Sequence, residues 1–142
     1  MCRHRFGVLN DLHNELVAEG INDIHFMGMN GFQYLDDSNV CMMCSDPDLC
    51  SNCEDTRHLP WTQDFDDGLN CAGDNVGLCE ADDTLGDVWD MWDVTLRDLV
   101  ILDRDGRYVT RINLTATNPD PSSTCGQNYD TIKELLISIR NQ

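Results

Sequence analysis

A chain of 142 residues with 41% hydrophobic residues is long enough for one small domain, residues 1–142, with a modest core. Its formal net charge of -17 excludes nucleic acid and anionic lipid surfaces as partners, because both would repel it. No stretch of the sequence is apolar enough to span a membrane.

The first part of the chain predicts a helix and then a strand. Leucines recur at helical spacing within Phe6–Glu19, and Gly20 is a suitable residue to end an amphipathic helix there. The next segment, Ile21–Met29, is typical of a strand, and Asn30-Gly31 is a turn dipeptide. The leucines that define the apolar face of the helix are Leu9, Leu12 and Leu16.

An acidic, cysteine-rich region follows. Residues 36–90 contain fifteen Asp and Glu residues, six of the eight cysteines, and Arg57 as their only Arg or Lys. Low apolar content and dense charge are typical of loops, so we interpret residues 36–86 as acidic insertions that covalent or metal links hold together. Within them His58–Trp61 is apolar, and its Pro60 can open a strand.

Two Cys-x-x-Cys units lie in this region. Their four sulfurs belong to Cys41, Cys44, Cys50 and Cys53. Four thiolates can bind zinc tetrahedrally, whereas in an oxidising compartment disulfides across the two units are the plainer interpretation. Cys71 and Cys79 would close a small loop, and Cys125 is left to pair with any remaining cysteine.

Signals for the compartment point in two directions. Asn113-Leu114-Thr115 is an N-glycosylation sequon, which favours secretion. Met1–Arg5, however, is not followed by the apolar stretch of a signal peptide. We therefore expect either a cytosolic protein or an extracellular one whose signal peptide lies upstream of Met1.

The most specific stretch is Asp87–Asn113, which predicts a short acidic, aromatic helix and then a hairpin. Leu99–Leu102 is a continuous apolar run, typical of a strand that is buried on both faces. Asp105-Gly106 is a favoured pair for a tight turn, and Tyr108–Ile112 supplies the returning strand.

A Pro-, Ser- and Asn-rich connection leads to a terminal helix, for which Asn128 or Asp130 is the predicted cap. The apolar face of this helix consists of Ile132, Leu135, Leu136 and Ile139. The order is helix, strand, long loop, short helix, strand, strand, helix. It matches the second half of a thioredoxin-type α/β layout without its first strand.

Four segments carry a resemblance to a known family: Leu9–Gly20, Ile21–Asn30, His58–Gln63 and Asp87–Asn113. The most specific pieces are Asp87-Val88-Trp89 and the hairpin pattern of Asp103-Arg104, Gly106-Arg107 and Val109. On these residues the chain resembles the N-terminal, thioredoxin-like domain of the selenoprotein P family. The resemblance implies a thioredoxin-like three-layer α/β fold that here lacks its first β-strand and carries acidic Cys-rich insertions.

That family has a Sec-x-x-Cys or Cys-x-x-Cys redox pair at the start of its first helix. In register with Leu9, Cys2 corresponds to the second, resolving member, and the attacking Sec or Cys would lie upstream of Met1. Unpaired N–H groups at the helix start stabilise a thiolate, and Arg3–Arg5 would add to this. The resemblance also implies a cis Leu59–Pro60 bond in a substrate groove that faces the pair, an ordinary trans proline being the alternative.

The function that the resemblance implies is extracellular thiol or selenol redox chemistry. Its substrates would be disulfides or hydroperoxides, with protein thiols among the partners. Selenium in the upstream selenocysteine is the implied cofactor, and no other is required. The alternative is a non-catalytic binding module on the same scaffold, whose Cys-rich insert is stapled by disulfides or bound to zinc.

Overall fold

The computed structural model describes residues 2–31, 34, 38–46, 48–50, 53, 56–64, 88–89 and 92–142. The elements in chain order are α1 (Cys2–Ala18), β1 (Gly28–Asn30), α2 (Val40–Met43), β2 (Trp61–Gln63), β3 (Asp98–Leu102), β4 (Tyr108–Asn113), a 3-10 turn (Thr124–Gly126) and α3 (Gln127–Arg140). The chain therefore belongs to the predicted α/β class. Most of the predicted acidic loops, with Cys71 and Cys79, lie outside the described residues.

Helix α1 confirms the first predicted helix, although it begins earlier, at Cys2. It ends as the sequence predicts, because Gly20 adopts a left-handed φ of 85°. There the Gly20 N–H donates to the Val17 carbonyl at 3.0 Å and the Ile21 N–H to the Leu16 carbonyl at 2.9 Å. These two bonds form a Schellman motif, which satisfies carbonyls that the helix end would otherwise leave unpaired.

The predicted strand over Ile21–Met29 is much shorter than expected. Strand β1 occupies only Gly28–Asn30 and pairs in parallel with β2, Gly28 lying opposite Trp61. A Cβ at Gly28 would lie 1.9 Å from the Trp61 ring, so the glycine permits this close approach. The residues before β1 instead place apolar side chains against the core, those of Ile21, Ile24 and Phe26.

The hairpin prediction is confirmed. Strands β3 and β4 pair antiparallel, with Asp98 opposite Asn113 and Leu102 opposite Tyr108. Gly106 turns the chain with a φ of 78°, and the Asp103 carboxylate accepts the Arg107 N–H at 2.9 Å.

The expected burial of both faces of β3 is wrong in its extent. Ile101 is buried, whereas Leu99 and Val100 are half-buried and Leu102 is exposed. The reason is that β3 lines a cavity rather than being fully covered by the core.

The core lies between α1 and α3, with β3 and Leu59 beside it. Its buried members are Phe6, Leu9, Leu12, Leu16, Phe26, Leu59, Ile101, Leu114, Ile132, Leu136 and Ile139. Three of the four apolar residues predicted for the last helix are thus buried, and Leu135 is half-buried.

The predicted caps of the last helix are wrong. Helix α3 starts after Gly126, whose φ of 82° makes it the N-cap residue, so Asn128 and Asp130 lie inside the helix. The Asn128 amide donates instead to the Asn118 carbonyl at 3.1 Å. The left-handed turn at Cys125-Gly126 sets the helix start earlier than the side-chain pattern predicts.

A charged cluster joins α3 to α1 beside the core. Lys133 donates to Glu15 at 2.7 Å and to Glu19 at 2.6 Å, and the Tyr129 hydroxyl donates to Glu15 at 2.5 Å. The hydrogen bonds from Lys133 and Tyr129 lower the pKa of Glu15 below its ordinary 4.5, and those to Glu15 and Glu19 raise the pKa of Lys133. The cluster therefore favours the folded state while both partners are charged.

The stability of the protein should consequently fall in acid. Because the pKa of Glu15 is lowered by folding, its contribution is complete above pH 4.5 and is lost as the pH drops through the lower folded value. We call the decrease in the free energy of unfolding at acidic pH the acid limb. Replacing Lys133 by Met should flatten the acid limb, and urea unfolding at a series of pH values measures this. Glu134→Gln, at an exposed position of the same helix, is the control and should leave the limb unchanged. A Lys133→Met protein with the wild-type acid limb would contradict the assignment.

Candidate functional site

A cavity of about 1260 Å³ lies among α1, β1, β3 and the end of α3. Its walls are largely apolar, as ligand sites in proteins usually are. Helix α1 contributes Cys2, Arg5, Phe6 and Leu9, β3 contributes its whole length, and α3 contributes Leu136 and Ile139. The cavity is partly open to solvent and is lined by the same elements that build the core.

Cys2 lies at this cavity, where it is the first residue of α1 and is half-buried. The other free thiol in the described residues, Cys125, is exposed and does not line the cavity. Of these two thiols, only Cys2 lines the cavity.

Arg5 is a residue that the sequence analysis did not single out as a site. Its side chain lines the cavity and is only 9% exposed, and its Nε and Nη1 atoms have no hydrogen-bond partner. Leaving buried donors without a hydrogen bond is energetically costly. The burial of Arg5 could have been predicted from the sequence, because Arg5 lies on the same helix face as Leu9, Leu12 and Leu16.

Pro60 does not have the predicted conformation. No peptide bond in the described residues is cis, so the expectation of a cis Leu59–Pro60 bond is wrong and the trans alternative holds. Pro60 precedes strand β2, and its carbonyl accepts the Gly28 N–H at 2.8 Å. Proline at this position loses no ladder bond, because the strand begins only at the next residue. Pro60 is exposed, whereas its neighbours Leu59 and Trp61 line the cavity.

The cysteine-rich insertion contains two disulfides, Cys41–Cys50 and Cys44–Cys53. Cys41 lies in helix α2, and Cys44 is its C-cap residue, with a left-handed φ of 50°. The prediction of disulfides across the two units is confirmed. Sulfurs joined in this way are not thiolates, so this geometry does not fit the four-cysteine zinc site. Within the described ranges, no three His, Cys, Asp or Glu side chains gather as a metal ion would require.

A part-buried hydrogen bond attaches the insertion to α1, in which the His58 N–H donates to the Asn10 side chain at 2.9 Å. Within the insertion, the Arg57 side chain donates to the Met42 carbonyl at 2.6 Å. Cys44 and Cys50 are 2% and 1% exposed. The disulfide-bonded segment is therefore packed against the domain rather than being a separate appendage.

Asp64 performs a similar role after β2. Its carboxylate accepts the N–H groups of Val88 and Trp89 at 3.2 and 3.0 Å. These two residues are helical, so the carboxylate satisfies N–H groups in the short helix that the sequence predicts. Sequence reasoning counted Asp64 only as one of many loop acids.

Asn113, the predicted glycosylation residue, ends β4 and is half-buried. Its amide nitrogen donates to the Asp98 carboxylate at 2.7 Å, and its oxygen accepts the Thr115 N–H at 3.0 Å. The side chain thus ties the two ends of the hairpin together. The sequon remains a prediction beside this structural role.

None of the helices that the structure describes has an apolar stretch long enough to cross a bilayer. Comparison of the chain with protein families, with curated proteins and with solved structures finds no match.

Proposed function

We propose that this chain is an extracellular thiol or selenol redox domain of the selenoprotein P type that reduces disulfides or hydroperoxides, with Cys2 as its resolving thiol. The observation that carries the proposal is the position of Cys2, which is half-buried on the wall of a large cavity. The two disulfides are consistent with an oxidising compartment. The thioredoxin-like three-layer arrangement and the upstream attacking Sec or Cys belong to the same proposal.

The chemistry available to Cys2 is thiol–disulfide exchange. Its thiolate attacks one sulfur of a substrate disulfide, a new S–S bond forms, and the other substrate sulfur leaves as a thiolate. With an attacking Sec or Cys upstream, the same nucleophilicity would resolve the mixed intermediate and release the reduced substrate. Arg3 and Arg5 line the same cavity as Cys2.

The two free thiols provide a matched test. With glutathione disulfide as the probe, Cys2 in the Cys125→Ser protein should react about tenfold faster than Cys125 in the Cys2→Ser protein. Accessibility alone predicts the reverse, because Cys125 is exposed and Cys2 is half-buried. Mass spectrometry of the digested protein locates each mixed disulfide and separates these sites from Cys71 and Cys79. Equal rates, or a faster Cys125, would rule out the redox role.

The second candidate is a non-catalytic binding module. Its support is the disulfide-stapled insertion, which α1 holds through Asn10, together with a cavity that contains the unpaired Arg5. Such a module predicts that Cys2→Ser changes neither folding nor partner binding.

A further inference from the structure

The predicted sequon, Asn113-Leu114-Thr115, lies where β4 ends, and the folded chain uses the polar atoms of its asparagine. The Asn113 amide nitrogen donates to the Asp98 carboxylate at 2.7 Å. The amide oxygen accepts the N–H groups of Thr115 and Ala116 at 3.0 and 3.2 Å. The nitrogen that would carry a glycan is therefore already bound to the first residue of β3.

The other two residues of the sequon are held in place as well. The Thr115 hydroxyl accepts a hydrogen bond from the Arg97 guanidinium at 2.8 Å. Leu114 is 4% exposed and belongs to the core, and its N–H donates to the Arg97 carbonyl at 2.9 Å. The residues that lead into β3 and the core thus fix the whole sequon.

Transfer of a glycan needs the same groups. The asparagine nitrogen attacks C1 of the first sugar of a lipid-linked oligosaccharide, and an N–C bond forms while the C1–O bond to the pyrophosphate breaks. The lipid pyrophosphate leaves, and the nitrogen gives up one proton. The hydroxyl of the third residue belongs to the Asn-x-Ser/Thr pattern that marks an acceptor. Since Asp98 binds the nitrogen, Arg97 binds the hydroxyl and Leu114 is in the core, transfer requires this segment to separate from β3.

We propose that Asn113 is a modification site that the hairpin closes: it accepts a glycan only while the end of β4 is detached from β3. An amide nitrogen carries two hydrogens and transfer replaces one, so a glycan attached before folding leaves one N–H that can donate to Asp98. In the cell the modification needs the secretory route of the proposed function. The inference otherwise goes beyond the redox proposal, and its test uses purified components and does not depend on Cys2.

The test incubates the purified, disulfide-bonded full chain with an oligosaccharyltransferase and a lipid-linked oligosaccharide, and mass spectrometry measures the occupancy of Asn113. The reference acceptor is a synthetic peptide of residues 108–118, which contains the same sequon without the fold. The peptide should be modified at least about tenfold faster than the full chain, because only a minor, locally opened population of the folded protein exposes the sequon.

A second sequon on the same hairpin separates the effect of the engaged side chains from the effect of folding itself. The double substitution Asp105→Asn and Arg107→Thr creates this sequon at the turn, where residues 105–107 are exposed. In this variant the turn should be modified, whereas Asn113 of the same molecules should stay unmodified.

A variant of Asp98 locates the contact. Asp98→Ala should raise the rate of modification of Asn113 in the full chain about tenfold, because a charge-assisted hydrogen bond no longer opposes local opening. Arg104→Ala, at an exposed position of the same hairpin, is the control and should leave the rate unchanged. Circular dichroism shows whether each variant is folded, and the wild-type and turn-sequon measurements decide the matter even if Asp98→Ala is not.

Four results would overturn the inference. The first is equal rates for the folded wild type and the peptide, and the second is a peptide that is not modified at all. The third is a turn sequon as unreactive as Asn113, which would make folding in general the barrier. The fourth is a folded Asp98→Ala protein in which Asn113 is modified at the wild-type rate.

Discussion

Leu16→Ala should lower the free energy of unfolding by about 2–5 kcal/mol, the range for truncating a fully buried leucine. Leu16 is 0% exposed and belongs to the cluster in which α1 meets Ile132 and Leu136 of α3. The substitution removes apolar contacts and leaves a cavity that tightly packed neighbours fill only in part. Urea unfolding followed by circular dichroism measures the change as a lower midpoint at an unchanged slope.

The neighbouring residue provides the control. Val17 is 42% exposed on the same helix, so Val17→Ala should change the free energy of unfolding by no more than about 0.5 kcal/mol. Both variants place alanine in the helix, which keeps the helix propensity of the two comparable. If Leu16→Ala were as mild as Val17→Ala, α1 would not pack against α3 as described.

The elements that the sequence predicted well are those whose cause is local. The spacing of Leu9, Leu12 and Leu16 predicted α1, and a glycine able to adopt a positive φ predicted its end. The hairpin followed from an apolar run and an Asp-Gly turn, which need only neighbouring residues to form.

The wrong predictions concern elements whose bounds depend on a neighbouring segment of the chain. Ile21–Met29 has the composition of a strand. Only Gly28–Asn30 forms one, however, because β2 has only three residues with which it pairs. Likewise, the start of α3 was set by a left-handed turn at Gly126 rather than by a polar side chain. Propensity could not supply either fact, since both depend on the backbone of other segments.

The candidate-site residues also differ in how far the sequence alone could predict them. Cys2 was predicted as a site only through the family resemblance, in register with Leu9, because a lone cysteine near the start of the sequence carries no local signal of its own. Arg5 was missed as a site because its significance is the absence of a partner in three dimensions, which depends on what α1 packs against. The cis Leu59–Pro60 bond was expected from resemblance alone, and the strand register around Pro60 holds the trans form instead.

Removing the Cys44–Cys53 disulfide by the double substitution Cys44→Ser and Cys53→Ser should lower the free energy of unfolding by about 2–3 kcal/mol. The bond closes a loop whose ends are nine residues apart, and its loss restores conformational freedom to the unfolded chain. Serine at Cys44 adds a further cost, because that position is 2% exposed and a hydroxyl there needs a hydrogen-bond partner. Urea unfolding under non-reducing conditions measures the loss.

Cys125→Ser is the matched control, since Cys125 is a free, exposed thiol and its replacement breaks no link. Its stability should stay within about 0.5 kcal/mol of wild type.

Peptide mapping of the unreduced protein should show Cys41 linked to Cys50 and Cys44 to Cys53. Zinc that remains bound at one ion per chain after desalting, with all four sulfurs open to alkylation once the ion is chelated, would contradict the disulfides. The insertion would then be cross-linked by a metal instead of by covalent bonds, and reductant would leave the stability of the protein unchanged.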